Sequence, residues 1–237
     1  MRYLLIHGSW HGAWAWSKLV PLLQNMGHEV ICSDLPGSGD DADNAVNISY
    51  ADLYAHVFDA IKQSPEPLVI VAHSFAGMLA AQACEELHER VHHIFYIAAW
   101  LPQENMSLFD KAVAYNNSNL PSIFRDVGDP RLRALDSSGA KDFFYHDCSD
   151  DIQDWASKLL RPKAAQPDHE KMPAFKPTYT LPKSSYILCN ADRAVNPISQ
   201  RDMAVRFGFS SDQIKIIKSS HSPFLSKPEE LAQLISY

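Results

Sequence analysis

Residues 69–78, with the sequence VIVAHSFAGM, decide the fold of this chain. They continue an apolar run over residues 68–72, and such a run is typical of a parallel strand that is buried on both faces. A helix rich in small residues is predicted directly after it, over residues 77–87. Ser74 lies between the two, which predicts a nucleophile elbow, a sharp turn from strand to helix that lifts the serine hydroxyl out of the sheet.

The residues around Ser74 are small enough for such a turn. The usual pattern, G-x-S-x-G, avoids clashes two positions before and two positions after the serine. Here both positions are alanine, Ala72 and Ala76, and alanine has the next smallest side chain. The start of the helix also favours a negative charge that develops beside Ser74. Taken alone, the segment fits a second interpretation, in which Ser74 only caps the helix.

Strand and helix signals alternate along most of the chain. Strands are predicted over residues 3–6, 30–32, 68–72, 94–99, 185–189 and 213–218. Helices are predicted over residues 14–26, 49–61, 77–87, 197–207 and 228–235. Ser49 is the expected cap of the second helix, with Asp52 three residues further on. This order predicts an α/β fold with a mostly parallel, doubly wound sheet.

The middle of the chain has a different character. Residues 103–180 contain many polar residues, six prolines and scattered aromatic side chains, and no strong strand is predicted there. Short helices are expected instead, for example over residues 149–160. We therefore expect a helical cap over residues 103–180, inserted into a core that is formed by residues 1–102 and 181–237.

The composition is that of a globular protein with a sizeable core. Of 237 residues, 46% are hydrophobic and 21% are charged, which excludes a disordered chain, a fibre and a coiled coil. The 21 basic and 28 acidic residues give a formal charge of −7, and a mildly acidic surface repels phosphate backbones. We expect a small-molecule partner and no nucleic acid. The oligomeric state stays open, with a homodimer as one option.

Membrane and metal signals are weak. No apolar run approaches the roughly 20 residues of a membrane-spanning helix, and the start of the chain does not resemble a secretory signal. The four cysteines are far apart and form no CxxC pair, which favours reduced, buried thiols over disulfides or a metal site. The sequence predicts a cytoplasmic protein with no membrane partner and no metal.

A glycine-containing turn follows the first predicted strand. Residues 7–14 read HGSWHGAW. An enzyme that transfers acyl groups holds the developing oxyanion with backbone N–H groups that are already aimed at it. The expected donors are the N–H groups of Ser9 and of Phe75, the residue after the serine. Alone, this stretch could also be a turn that merely opens a helix.

An acid and a histidine follow the last two predicted strands. Asp192 comes after the strand over 185–189, and His221 comes just past the strand over 213–218. The chain order Ser74, Asp192, His221 is the order of nucleophile, acid and base in α/β-hydrolases. His221 would take the proton of Ser74 and Asp192 would orient the imidazole. Asp34 and Glu104 are rival acids that we rank below Asp192.

This chemistry requires no cofactor. The chain has no HExxH pair, no Walker loop and no GxGxxG motif, and acidic residues follow the glycines at positions 37 and 39. We therefore expect neither a metal nor an organic cofactor.

With these residues in view, the chain resembles the α/β-hydrolase superfamily, and within it the esterase/hydroxynitrile lyase group that includes plant methylesterases and related bacterial esterases. The segments that carry the resemblance are HGSWHGAW at 7–14, DLPGSG at 34–39, AHSFAG at 72–77, AAWLP at 98–102, Asp192 and HSPF at 221–224. The first segment is fairly specific to this group. The resemblance implies an α/β-hydrolase fold with a small helical cap inserted after the sixth strand, over a largely apolar pocket.

The resemblance also implies a substrate class. It suggests hydrolysis of small esters, methyl or short-chain and including aromatic ones, with Gly8, Trp100 and Trp155 as substrate-binding residues. Hydroxynitrile lyases of the group carry threonine and lysine where this chain has Gly8 and Ser222. Without the lysine, departing cyanide has no cationic partner, so we expect ester hydrolysis. A binding protein with slow or no catalysis and a cofactor-independent dioxygenase remain alternatives.

Overall fold

The computed structural model describes residues 1–115 and 120–236. Its strands are β1 (Arg2–Ile6), β2 (Glu29–Cys32), β3 (Leu68–His73), β4 (Val91–Ile97), β5 (Phe124–Arg125), β6 (Leu132–Leu135), β7 (Lys163–Ala164), β8 (Ser184–Cys189) and β9 (Ile214–Ile217). Six of these form one parallel sheet in the order β2-β1-β3-β4-β8-β9. β3 lies near the middle of this sheet, and all of its residues are buried. The predicted parallel sheet is confirmed.

Helices cover both faces of the sheet. The helices are α1 (Leu19–Asn25), α2 (Tyr50–Lys62), α3 (Ala76–Glu86), α4 (Leu108–Ala114), α5 (Ser137–Phe144), α6 (Asp150–Leu159), α7 (Pro197–Phe207), α8 (Pro223–Ser226) and α9 (Pro228–Leu234). Leu4 and Ile70 face a core that is shared with α2, α3 and α7. Tyr3 and Val69 face a second core, shared with α1, α8 and α9. Because alternate residues of one strand point to opposite faces, continuous apolar strands are what a doubly wound fold requires.

The first helix is shorter than the sequence predicted. A 3₁₀ turn over Ala13–Trp16 comes first, and α1 begins only at Leu19. Pro21 explains the difference, because proline lacks the N–H of a helical hydrogen bond and clashes with the carbonyl four residues earlier. A start at Leu19 places Pro21 in the first turn, where it is tolerated.

The segment between β4 and β8 differs from the prediction in two respects. It holds α4, α5 and α6, but also a three-stranded antiparallel sheet of β5, β6 and β7, where no strong strand was predicted. These strands have two to four residues, too few for an alternating pattern to be recognised. The segment also follows the fourth strand of the chain, not the sixth, since β1, β2, β3 and β4 are the strands that precede residue 103. The boundaries 1–102, 103–180 and 181–237 stay a prediction.

Two further observations bear on the sequence analysis. All four cysteines are free thiols, and Cys84 and Cys189 are buried. Within residues 1–115 and 120–236, none of the helices is long and apolar enough to span a membrane.

The predicted cap of α2 is confirmed as a capping box. The Ser49 hydroxyl accepts a hydrogen bond from the N–H of Asp52 at 3.2 Å, and the Asp52 carboxylate accepts one from the N–H of Ser49 at 2.9 Å. The box satisfies backbone donors that the first turn of a helix leaves without partners. It fixes the start of the helix that packs against α3 and the elbow.

We expect Ser49→Ala to lower the free energy of unfolding by about 1 kcal/mol, because the side-chain acceptor of the cap is lost. Urea denaturation monitored by circular dichroism measures this change. Ser49→Thr is the matched control, since threonine keeps the hydroxyl. An alanine variant as stable as the threonine variant would contradict the assignment of the cap.

Candidate active site

Ser74 occupies a strained turn between β3 and α3. Its φ is +53°, in the left-handed region that non-glycine residues seldom adopt, at a cost of the order of 1–3 kcal/mol. Two backbone hydrogen bonds hold it there: Ser74 N–H donates to Ile97 at 3.0 Å, and Trp100 N–H donates to Ser74 at 3.0 Å. The predicted elbow is therefore present, and the end of β4 fixes it.

Two glycines leave the space for this turn. A Cβ atom on Gly8 would lie 2.8 Å from the Cβ of Ser74, and a Cβ on Gly77 would lie 2.5 Å from the carbonyl oxygen of Trp100. Real Cβ atoms do not approach other atoms so closely. From the sequence, small side chains were expected to matter only at Ala72 and Ala76. Gly8 lies behind the elbow, and its lack of a side chain serves the turn.

Asp192 and His221 form a buried pair. The Nδ1–H of His221 donates to Oδ2 of Asp192 at 2.7 Å, and the two residues are 3% and 5% exposed. Oδ1 of Asp192 also accepts from the N–H groups of Ala194 at 2.7 Å and Val195 at 2.9 Å. Gln200 donates to Oδ2 at 2.9 Å. These bonds fix the carboxylate, so the ring of His221 has one preferred orientation, with Nδ1 on Asp192 and Nε2 on the opposite side of the ring.

Gln200 is a functional residue that the sequence analysis missed. Its side chain is fully buried and also contacts the backbone of Cys189 and Val195. It lies on α7, where its polar character resembles that of any exposed helical residue. A buried glutamine beside the carboxylate can be recognised only once the helix is packed on the sheet.

Ser74 and His221 line the same cavity, which has a volume of about 820 Å³. The Ser74 hydroxyl makes no hydrogen bond to any residue in 1–115 or 120–236. In ligand-free enzymes such bonds are often long and tighten only when substrate is bound. The structure thus brings Asp192 and His221 together and places Ser74 at the same cavity. Direct contact between Ser74 and His221 stays a prediction.

Ser9 and Phe75 also line this cavity. Neither of their backbone N–H groups has an acceptor among the described residues, so both are available to an oxygen atom of a ligand. Trp10, directly after Ser9, has a φ of +64°, so the turn after β1 is a second left-handed position at the site. Both residues thus lie at the cavity, and the role of their N–H groups as oxyanion donors stays a prediction.

Three further histidines lie beside the site, and their rings are neutral. His7 donates to Gly8 at 2.9 Å, and His11 donates to Ser9 at 2.8 Å. His73 donates to the carbonyl of His221 at 3.0 Å. Burial lowers the pKa of His7, lowers that of His11 to about 3, and lowers that of His73 well below its usual value. These rings therefore carry no charge at neutral pH and hold the loops in place.

The other residues singled out from the sequence lie in different places. Trp100 lines the cavity. Trp155 is 39% exposed and packs edge-on against Trp14, with ring centroids 5.4 Å apart, so it lies outside the lining. Asp34 accepts N–H donors of a turn, and Glu104 is exposed. Among the described residues, neither rival acid accepts a hydrogen bond from a histidine ring.

The segment between β4 and β8 contacts the loops that carry Asp192 and His221. The backbone N–H of Ser220 donates to Asp147 at 2.9 Å, and the Ser220 hydroxyl donates to the carbonyl of Phe144 at 2.8 Å. Arg193, next to Asp192, forms an ion pair with Asp142. The loops that carry Asp192 and His221 are thus held from this segment as well as from the main sheet.

Comparisons with known proteins find relatives along nearly the whole chain. A family model described as "Alpha/beta hydrolase family" matches residues 3–234. Polyneuridine aldehyde esterase from Rauvolfia serpentina is 29% identical over 249 residues, which cover 99% of this chain and 94% of that protein. Putative methylesterase 15, chloroplastic, from Arabidopsis thaliana is 26% identical over 247 residues, and the match covers 99% of this chain but 55% of that protein. The chain thus spans about half the length of this second relative.

A solved structure of a methylesterase from Arabidopsis has the same fold. Its TM-score is 0.83 at 21% identity, with 99% of this chain and 97% of that chain covered. The resemblance stated from the sequence motifs is confirmed.

We expect Gly77→Ala to destabilise the protein by about 1–3 kcal/mol, because the added Cβ meets the Trp100 carbonyl and the elbow must shift. The direction of this change in stability is informative, since alanine in place of glycine inside a helix usually stabilises a protein by about 0.5–1 kcal/mol. Denaturant unfolding of the variant and the wild type measures the change. A variant as stable as the wild type, or more stable, would show that the space at Gly77 is not needed.

Proposed function

Because the chain belongs to the alpha/beta hydrolase family, as the match over residues 3–234 shows, we propose that it is a serine carboxylesterase. Ser74 is the nucleophile, His221 the general base and Asp192 the acid that orients it. The observation that carries the proposal is the buried 2.7 Å bond from His221 to Asp192 at the cavity where the elbow presents Ser74. The names of the relatives, an esterase and a putative methylesterase, support the same reaction class.

The hydrogen bond to Asp192 determines which nitrogen of His221 reacts. Since Nδ1 carries the proton that is donated to Asp192, Nε2 takes the proton of the Ser74 hydroxyl as its oxygen attacks the acyl carbon. The carbonyl oxygen becomes an oxyanion and accepts the N–H groups of Ser9 and Phe75. His221 then protonates the departing alkoxide, which leaves an acyl-Ser74 intermediate. Water, deprotonated by His221, releases the acid and restores the hydroxyl.

The neutral histidines favour this proton transfer. Because burial keeps His11 and His73 uncharged, neither repels the imidazolium that forms on His221. The Asp192 carboxylate faces that imidazolium directly and stabilises it.

The cavity suits small, largely apolar esters. Trp100 and Phe144 line it beside Ser74, and its volume of about 820 Å³ lies within the range of small-molecule sites, about 300–1,000 Å³. Methyl or short-chain esters, including esters of aromatic acids, are the proposed substrates. The segment over residues 103–180 acts as the cap of this cavity. A cytoplasmic location and a homodimer stay predictions from the sequence.

Cyanohydrin cleavage does not fit the site. A side chain at position 8 has no space, since a Cβ on Gly8 would lie 2.8 Å from both Ser74 and His73. Ser222 is fully buried beside His221 and provides no positive charge for a departing cyanide. Ester hydrolysis needs neither a side chain at position 8 nor a positive charge at position 222.

We expect Ser74→Ala to lower the turnover of p-nitrophenyl acetate by about 10⁴-fold, because the acyl-enzyme cannot form. Release of p-nitrophenol, followed by absorbance, measures the rate. Mandelonitrile is the control substrate. We expect the wild type not to release cyanide from it at a rate comparable to its ester turnover.

Equal rates for the wild type and the Ser74→Ala variant would indicate a binding protein without serine catalysis. Cyanide release at a rate that rivals ester turnover would show that the protein is a lyase and not an esterase.

A further inference from the structure

Lys163 is a buried lysine beside the proposed oxyanion donors. Its side chain is 11% exposed and forms an ion pair with Asp168, whose side chain is 18% exposed. The ammonium nitrogen lies 5.2 Å from the ring centroid of Trp10 and 5.5 Å from that of Phe75. Both distances are within the range of cation–π attraction. One cation therefore contacts two aromatic rings.

These two rings belong to the two halves of the proposed oxyanion hole. Phe75 provides one N–H group, and Trp10 follows Ser9, which provides the other. The two halves come from different parts of the chain, after β3 and after β1. Stabilisation of an oxyanion requires both donors at about 2.7–3.1 Å from a single oxygen position, so their spacing must be held.

The small antiparallel sheet also holds Trp10 through its polar groups. The indole N–H of Trp10 donates to the carbonyl of Arg133 at 2.9 Å, and the N–H of Arg161 donates to the carbonyl of Trp10 at 3.1 Å. Arg133 is paired with Lys163 in the register of β6 and β7. The left-handed backbone of Trp10 is thus held by Arg133 on the strand paired with that of Lys163 and by Arg161, two residues before Lys163.

We propose that Lys163 is a positioning residue that holds Trp10 and Phe75 together and so sets the spacing of the Ser9 and Phe75 N–H groups. The inserted segment then completes the oxyanion hole, in addition to covering the cavity. This inference rests on the proposed esterase function. Asp168 keeps the ammonium group in place, and Lys163 does not contact the reacting atoms.

Stability alone does not explain a lysine at this position. A buried ion pair loses the hydration of both charges, and apolar residues of similar volume are often equally or more stable in its place. Methionine matches the unbranched stem of Lys163 without the charge. A folding role would be met by apolar residues in place of both Lys163 and Asp168, whereas cation–π attraction to two aromatic faces at once requires the charge of Lys163.

The test compares Lys163→Met and Lys163→Arg with Lys111→Met. Lys111 is the matched control, since it is a 2% exposed lysine of the same segment whose ammonium lies 5.6 Å from a single ring, that of Tyr115. Steady-state hydrolysis of p-nitrophenyl acetate gives kcat and KM. Inhibition by a trifluoromethyl ketone reports on the hole, because addition of Ser74 to the ketone carbon turns the ketone oxygen into an oxyanion.

We expect Lys163→Met to lower kcat by about 10- to 100-fold, which does not exceed the loss of kcat when a whole oxyanion donor is removed. KM should stay within about threefold of the wild type. Inhibition by the ketone should weaken by a similar factor. Lys163→Arg keeps a cation that stacks on aromatic rings and should restore most of kcat. Lys111→Met should leave kcat within about twofold of the wild type, since that cation contacts neither catalytic loop.

Wild-type kcat and inhibition in Lys163→Met, with activity still dependent on Ser74, would overturn this inference alone. A Lys163→Arg variant that is as slow as Lys163→Met would also overturn this inference alone. Turnover that does not depend on Ser74 would overturn the proposed function and the inference together. If Lys163→Met does not fold, Lys163→Gln, which keeps a polar group without the charge, is judged by the same criteria.

Discussion

Ser74 holds a left-handed backbone conformation, and the surrounding sheet keeps it there against the strain. Hydrogen bonds to Ile97 and from Trp100 fix the residue from the end of β4, while Gly8 leaves free the space that any side chain would fill. Strain of this kind persists only where the surroundings over-determine the conformation. The central position of β3 supplies that support, since it is bonded on both sides, to β1 and β4. The position of Ser74 at the cavity is therefore a consequence of how the sheet is built.

The remaining groups come to the same edge of the sheet as Ser74 because parallel strands end there. The Ser9 turn follows β1 and His221 follows β9, and both line the cavity of Ser74, while Asp192 follows β8 and holds the ring of His221. Their loops are then fixed from the segment between β4 and β8, where Asp147 holds Ser220 and Lys163 lies against Trp10 and Phe75. In this account the inserted segment shapes the pocket and also supports the catalytic geometry.

Much of the core could be predicted from the sequence because its elements are long and regular. The helix over 197–207 matches α7 at both ends, since Asn196 caps it and Gly208 ends it in a left-handed conformation. The inserted segment was harder to predict, because strands of two residues show no alternation of apolar and polar side chains and form only through tertiary pairing. For the same reason Trp155 was placed at the pocket, and Gln200 and Lys163 were not recognised. Which polar side chain becomes buried beside a catalytic loop depends on packing that local sequence does not encode.

The most direct measurement is active-site labelling with an alkyl fluorophosphonate, followed by tryptic mapping and mass spectrometry. A serine that is activated by His221 displaces fluoride and keeps the phosphonyl group. The account predicts a single adduct on the tryptic peptide 63–90, assigned by fragmentation to Ser74 and not to Ser64, and lost in the His221→Ala variant. An adduct on another residue, or ester hydrolysis that continues with Ser74 unlabelled, would contradict it.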